Sequence, residues 1–387
     1  MARPLPRTIL LLGVVSLLTD VSSEMIFPLL PVFMTVSLGA SPTYLGVIEG
    51  LADTTAALLK LVSGWLVDKT GRYRPLILGG YTLSGVARGL ITLATAPWHV
   101  LALRVSDRVG KGIRTSPRDA LIARSADPEG SATAFGFHRA MDHAGAVIGP
   151  LIATLLLGWG LSIRSIFGLA LVPTILALGV LAQVREPPPL PAPAPEVTPR
   201  VSLPPQLRGY LGVLLLFSLG NASDAFMLLR AHELGVPEAQ IPLLWSLLHV
   251  VRLSSSWFGG RLADKFPRVW LITGGWGVFS LAWLAMSVAT SPAQVWGIFA
   301  FYGLYHGLAE PAQKALIKDL SPVAAQGRAY GWFNLVTGLS ALPASLLMGE
   351  LWSHITPRWA MTAGAGWALT SMVVLTLWQR RWEKHPA

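Results

Sequence analysis

Cysteine is absent from all 387 residues, which excludes disulfides, thiolate chemistry and cysteine-based metal sites. Charge is scarce as well. Asp, Glu, Lys and Arg make up 13% of the chain, against roughly 25% in soluble domains. There is no Walker loop and no dinucleotide fingerprint, no His-x-x-His ligand pair, and no nucleophile–base constellation of a hydrolase or transferase. Neither a cofactor nor a resident metal is therefore expected, and the chain does not read as an enzyme. What remains is apolar: 52% hydrophobic residues and a mean hydropathy of +0.54. That length and balance fit about twelve membrane spans of ~20 residues with short connections. The expected spans are 8–33, 43–67, 75–95, 98–122, 132–157, 163–184, 210–230, 240–262, 269–289, 293–317, 329–352 and 358–379, broken at Pro and Gly clusters.

The net charge of +10 is uninformative until it is located. Basic residues gather in alternate connections, among them Arg3 and Arg7, Lys69 to Arg74, Arg124, Lys265 and Arg268, Lys318 and Arg328, and Arg380 to Lys384. The loops near 34–42, 95–98, 290–292 and 353–358 hold almost none. This is the positive-inside pattern, so both termini are expected in the cytoplasm of a multi-pass protein of the inner membrane. The basic loops suit anionic lipid headgroups, and no nucleic-acid partner is expected. The first apolar run has basic residues before it but no small-x-small cleavage site, and reads as the first span. Between the sixth and seventh spans the stretch beginning Arg185-Glu-Pro-Pro-Pro is Pro-rich, as an extended linker would be. The expected organisation is an all-α chain of two pseudo-symmetric six-helix bundles, 1–184 and 209–387, joined by a cytoplasmic linker at 185–208.

Two echoes support duplication. Gly64-Trp-Leu-Val-Asp68-Lys69-Thr-Gly71-Arg72 returns as Gly260-Arg-Leu-Ala-Asp264-Lys265-Phe-Pro-Arg268, 196 positions later. Ala120-Leu-Ile-Ala leading to Ala134-Phe135-Gly136 returns as Ala315-Leu-Ile-Lys leading to Ala329-Tyr330-Gly331, at an offset of 195. Parallel repeats of this kind build transporters. The Gly64–Arg74 loop resembles the signature cytoplasmic loop of the major facilitator superfamily, with Tyr73 at a place usually basic. Its later copy has Pro267 in place of the second glycine. Arg108-x-x-Lys111-Gly112 and Gly145-x-x-x-Gly149-Pro150 are similar to fourth- and fifth-span patterns of that family, the latter from its exporters of the drug:proton antiporter type. The resemblance implies two six-helix bundles that alternate access to a cavity lined by spans one, four, seven and ten. It also implies a cytoplasmic gate at Gly64, Asp68, Lys69, Gly71, Arg72, Gly260, Asp264 and Lys265.

Ionisable groups at membrane depth are costly and point to function or to pairing. Asp20 and Glu24 share one face of the first span and are the candidate proton carriers. On the fourth span Arg104, Arg108, Lys111, Thr115 and Arg118 form one basic stripe, expected either to attract an anionic substrate or to be neutralised internally by Asp20, Glu24, Glu49, Asp53, Asp107 and Asp142. A carboxylate that loses its partner during rocking takes up a proton, so proton capture at Asp20 or Glu24 is expected to break pairing to the fourth-span arginines. Arg88, Arg104, Arg108, Lys111, Asn221, Asp224, Tyr302, His306 and Glu310 are the substrate or cavity candidates. Glu49, Asp53, Lys60, Asp107, His138, Asp142, His249 and Arg252 form the expected buried polar network. His249 lies 196 positions after Asp53. Trp245 and Trp332 lie deeper than the other tryptophans and read as core packing, with a place in the pocket lining as the alternative. The function expected is proton-coupled efflux of a small organic solute by an antiporter, with protons and lipids as its other partners and a monomer as its state. A lipid, lysolipid or metal-ion exporter, or a non-transporting receptor or scaffold on the same fold, are the alternatives.

Overall fold

Prolines set the starts of many elements. A proline at the first helical position loses no hydrogen bond and arrives with a helical φ, and Pro42, Pro97, Pro205, Pro292 and Pro357 each open a helix. The computed structural model describes residues 5–126, 131–184, 203–322 and 326–384, and every regular element among them is helical. In chain order these are α1 (Arg7–Ser37), α2 (Pro42–Thr70), α3 (Arg74–Leu93), α4 (Pro97–Ser125), α5 (Ser131–Gly158) and α6 (Ile163–Leu181). Then follow α7 (Pro205–Glu233), α8 (Ile241–Lys265), α9 (Arg268–Val288), α10 (Pro292–Asp319), α11 (Gln326–His354) and α12 (Pro357–Lys384). Each expected span falls on one of them. Residues 185–202 of the expected linker lie outside the described residues.

Among the described residues, eight helices are long and apolar enough to cross a membrane. Those that do not qualify, α2, α4, α8 and α10, are as long but more polar. Two spans expected to be continuous are interrupted. In α1 the regular helix ends at Ile26 and the chain tightens, then widens, around Pro28 and Pro31. In α7 it stops at Gly220 and restarts at Ala225. The first break follows from proline, which removes a donor and crowds the preceding turn. The second falls on the polar run Asn221–Asp224, whose side chains compete with the helix for backbone groups.

The chain forms two compact units. Unit 1 comprises Met1–Gly39, Leu51–Glu196 and Pro237–Ser246; unit 2 comprises Ala40–Gly50, Val197–Val236 and Leu247–Ala387. The pairing inside them repeats. In unit 1, α1 packs on α5 and α6, and α3 on α4 and α6; in unit 2, α7 packs on α11 and α12, and α9 on α10 and α12. The outer surfaces are apolar, with Leu155, Trp159, Ile175, Leu281 and Val373 all more than half exposed. Such a surface suits lipid and not water.

The two cores are built from different material. Unit 1 has an aliphatic cluster around Ile9, Leu12, Ile77, Leu121, Ile122 and Leu181, and beside it a buried ionic knot. Arg88 of α3 reaches Asp107 of α4 at 3.3 Å and donates to the Thr19 carbonyl of α1 at 2.8 Å. Arg104 approaches the same carboxylate at 3.5 Å. All three charged groups are no more than 4% exposed. In unit 2 the corresponding volume is aromatic: Phe217 stacks on Trp276 at 4.3 Å, with Phe279, Trp283 and Tyr302 close by.

Close crossings depend on glycine. A Cβ at Gly145 of α5 would lie 2.6 Å from the Leu17 oxygen and 2.8 Å from the Asp20 Cβ. One at Gly149 would lie 2.6 Å from the Val21 oxygen and 3.1 Å from the Glu24 Cβ. The fifth-span glycine pair therefore receives α1 at the turns that carry its two carboxylates.

Two stability predictions follow from these contacts. Gly149→Ala should lower the SDS-unfolding midpoint by about 1–3 kcal/mol through overpacking, whereas Gly158→Ala, with nothing within 4 Å of the new methyl, should not lower it. Asp107→Asn should cost about 3–5 kcal/mol by stranding buried guanidinium groups. Asp53→Asn, at a carboxylate 49% exposed, should cost under about 1 kcal/mol in the same assay.

Candidate functional site

In unit 1 the polar groups gather on α1, α4 and α5. Asp20 and Glu24 stand on successive turns of α1, both half-buried. Asp20 feels the charges of Asp142, Lys111, Glu24 and Arg114. Glu24 accepts a hydrogen bond from the indole of Trp245 at 2.7 Å. Of the α4 arginines, Arg104 meets Asp107, and Arg108 lies 3.7 Å from Asp53 of α2. Asp107 and Asp53 are two of the six acids expected to neutralise these cations. Lys111, one turn beyond Arg108, is exposed. On α5, Asp142 accepts from Ser16 and lies 3.6 Å from His138.

The expected network on α2 divides. Asp53 belongs to unit 1, whereas Glu49, 1% exposed, lies on the part of α2 that belongs to unit 2. The Lys60 carbonyl accepts from Ser116 of α4 at 2.7 Å, so that turn of α2 is tied to α4 through its backbone.

In unit 2 a second polar group lines α10 and the α7 break. Tyr302 donates to Asp224 at 2.6 Å, and Asn221 lies 3.5 Å from the Tyr305 hydroxyl. One and two turns further on, His306 Nδ1 lies 3.1 Å from Glu310, which also takes a 2.5 Å bond from Arg252 of α8. The step of four from Tyr302 to Glu310 does place the three on one helix face. His249, on α8, is 9% exposed. Among the described residues no group of three or more His, Asp or Glu side chains is arranged to hold a metal ion.

The residues expected to form a cytoplasmic gate lie on the last two turns of α2 and α8 or just beyond α2. Gly71 follows α2 with φ +64°, a conformation that suits glycine because it has no Cβ. At the repeat position Pro267 has φ −53°, since its ring forbids the left-handed turn. The two loops therefore turn differently despite their common sequence. Lys69 lies over the Trp65 ring at 5.1 Å, and both Arg72 and Lys265 are exposed. Gly64 lies 3.6 Å, by its absent Cβ, from Ser116, and Gly260 faces open space. The side chains of Asp68 and Asp264 lie outside the described residues.

Two aromatic expectations change. Trp332 is 48% exposed and is not core. Trp245 is 5% exposed, and its N–H is spent on a carboxylate rather than on packing alone. Only its place at the depth of an apolar helix, where an indole N–H needs an acceptor, could have suggested this from sequence.

The model of the Major Facilitator Superfamily matches residues 12–251 and 210–386. An uncharacterized MFS-type transporter, MJ1317 of Methanocaldococcus jannaschii, is 34% identical over 384 residues, covering 96% of this chain and 95% of that one. Multidrug resistance protein MdtH of Cronobacter sakazakii is 24% identical, covering 100% and 96%. The nucleoside transporter NupG matches with a TM-score of 0.82 at 11% identity, covering 96% of this chain and 100% of that one. A bacterial homolog of the human lysosomal transporter Spinster matches with a TM-score of 0.79 at 17% identity, covering 98% of each. Those two structures bear on the fold alone. With the family model matched along both halves and a relative sharing a third of its residues over nearly the full length, the chain belongs to the major facilitator superfamily and is a membrane-embedded transporter.

Proposed function

We propose that this transporter exports a small organic solute across the cytoplasmic membrane in exchange for protons, by alternating access of two six-helix halves. The twelve helices are taken as its twelve spans, 1–184 and 209–387 as the halves, 185–208 as a cytoplasmic linker, and both termini as cytoplasmic. As a member of a transporter family, it is not an enzyme. The observation that carries the reading is the pair Asp20 and Glu24, seated against Gly145 and Gly149 on a helix that lacks any basic residue after Arg7. Two carboxylates held at membrane depth by close backbone packing are placed to take and release protons. The name of the MdtH relative supports export.

Arg88 and Arg104, buried and tied to Asp107, are assigned to holding helices together rather than to substrate. The substrate-contact role rests with Arg108 and Lys111 in unit 1 and with Asn221, Asp224, Tyr302, His306 and Glu310 in unit 2. Gly64, Asp68, Lys69, Gly71, Arg72, Gly260, Asp264 and Lys265 are proposed to gate the cytoplasmic side. The protein works as a monomer, with lipid headgroups on its basic loops. A proton bound more tightly in one state shifts the equilibrium between states by that difference and no more.

In inverted vesicles carrying an acid-inside gradient, addition of ethidium or salicylate as probes should dissipate the gradient in the wild type. Glu24→Gln or Asp20→Asn should abolish that dissipation while leaving downhill probe flux within about twofold, since neutral side chains uncouple without blocking the path. Unchanged dissipation in both variants contradicts the assignment.

A further inference from the structure

Trp245 joins an α1 carboxylate to the first turns of α8. Its Nε1–H donates to Glu24 Oε2 at 2.7 Å, the residue is 5% exposed, and its ring meets Phe27 of α1 at a centroid distance of 4.9 Å. The next residue, Ser246, donates to the Val147 carbonyl of α5 at 3.1 Å. Residues Ile241–Ser246 of α8 belong to unit 1, and from Leu247 onward the same helix belongs to unit 2. A continuous helix of 25 residues therefore has its first turns fastened to the helix that carries the acids.

We propose that Trp245 is a positioning residue that reads the charge of Glu24 and passes it to α8. The inference rests on the proton-carrier reading of Glu24 and adds the group that responds. An indole N–H only donates, and a hydrogen bond to an ionised carboxylate is roughly twice as strong as one to a neutral group. Ionised Glu24 holds the first turns of α8, and protonation loosens that hold. Retreat of the carboxylate is limited from behind, because Gly149 packs so closely on α1 that even a methyl there would lie 2.6 Å from the Val21 oxygen and 3.1 Å from the Glu24 Cβ. The repeat supplies an independent observation. Glu49 lies 196 positions before Trp245, and it too is a polar residue buried on the opening turns of a helix divided between units, here α2. Both divided helices bury a hydrogen-bonding side chain at the same register.

Other ionisable groups surround α1. They are Asp20 on α1 itself, Arg88 on α3, Arg104, Lys111 and Arg114 on α4, His138 and Asp142 on α5, and Arg164 on α6 over Phe33. The first turns of α8, Ile241–Ser246, carry no ionisable side chain, and Trp245 is the group there that donates to Glu24. Asp20 is the rival titrating group and needs its own control.

The chain has no cysteine, so Ser246→Cys, at a position 3% exposed, introduces a single thiol reporter of whether the start of α8 is seated. Its maleimide labelling rate is measured across pH and normalised to the denatured protein at each pH. In the Ser246→Cys background, labelling should accelerate about fivefold on acidification, the difference between a charged and a neutral acceptor. Trp245→Phe should label at the fast rate at every pH, as should Glu24→Gln, and the double variant should be no faster than either. Trp245→Tyr, which keeps a ring and a donor, should recover part of the pH dependence and stands in if Trp245→Phe does not fold. Asp20→Asn should leave the response in place. If Glu24→Gln loses the response while Trp245→Phe and Trp245→Tyr keep that of the wild type, Trp245 is not the reader, although the carrier reading survives. A response kept in Glu24→Gln and lost in Asp20→Asn removes both the Glu24 reading and this proposal.

Discussion

A guanidinium–carboxylate knot with almost no exposure is the contact on which unit 1 depends. Arg88, Asp107 and Arg104 stand where water cannot help them, and ions so placed persist only when paired and hydrogen-bonded. Arg88 also donates to the carbonyls of Thr19 and Ser84, so one cation ties α1, α3 and α4. Ser84 in turn donates to the Asp107 carbonyl and accepts from Arg114. The glycine contacts that seat α1 against α5 then act on a helix already fixed in register. The two carboxylates of α1 take their position from this frame.

The repeat shows how one geometry accepts two chemistries. At an offset of 195, Asp107 becomes Tyr302, Arg104 becomes Phe299 and Lys111 becomes His306. Gly112 becomes Gly307, and each of these glycines closes on the neighbouring helix, at Leu59 and Ser255 respectively. Close packing is kept while the ions are exchanged for aromatic rings. In unit 2 the charged groups instead sit on the part of α10 that carries His306 and Glu310, held by Arg252. The halves thus divide the work: unit 1 carries the acids on its first helix, and unit 2 carries its ionisable cluster on α8 and α10.

Much of the fold was legible because apolar length and helix-opening prolines are local signals. All of the expected spans coincide with helices, and the step of four correctly grouped Tyr302, His306 and Glu310. Pairing was less legible. The basic stripe on α4 is a property of one helix, but which acid each arginine meets depends on how α2, α3 and α4 cross. Of the six acids that could neutralise the stripe, Asp107 meets Arg104 and Asp53 meets Arg108. The α7 break is carried by Asn221–Asp224, where polar competition outweighed an otherwise apolar run. Trp245 was read as packing because periodicity reports burial and is silent about where an N–H points.

The central claim is that the α1 carboxylates change protonation as the transporter works, and infrared difference spectroscopy tests it most directly. Purified protein in lipid is compared between about pH 5.5 and 7.5 in the carboxylic-acid C=O region. The account predicts a protonated-carboxyl band at low pH that disappears in Glu24→Gln or Asp20→Asn. A band unchanged in both variants would mean that the proton is held elsewhere and that α1 carries structural charge only.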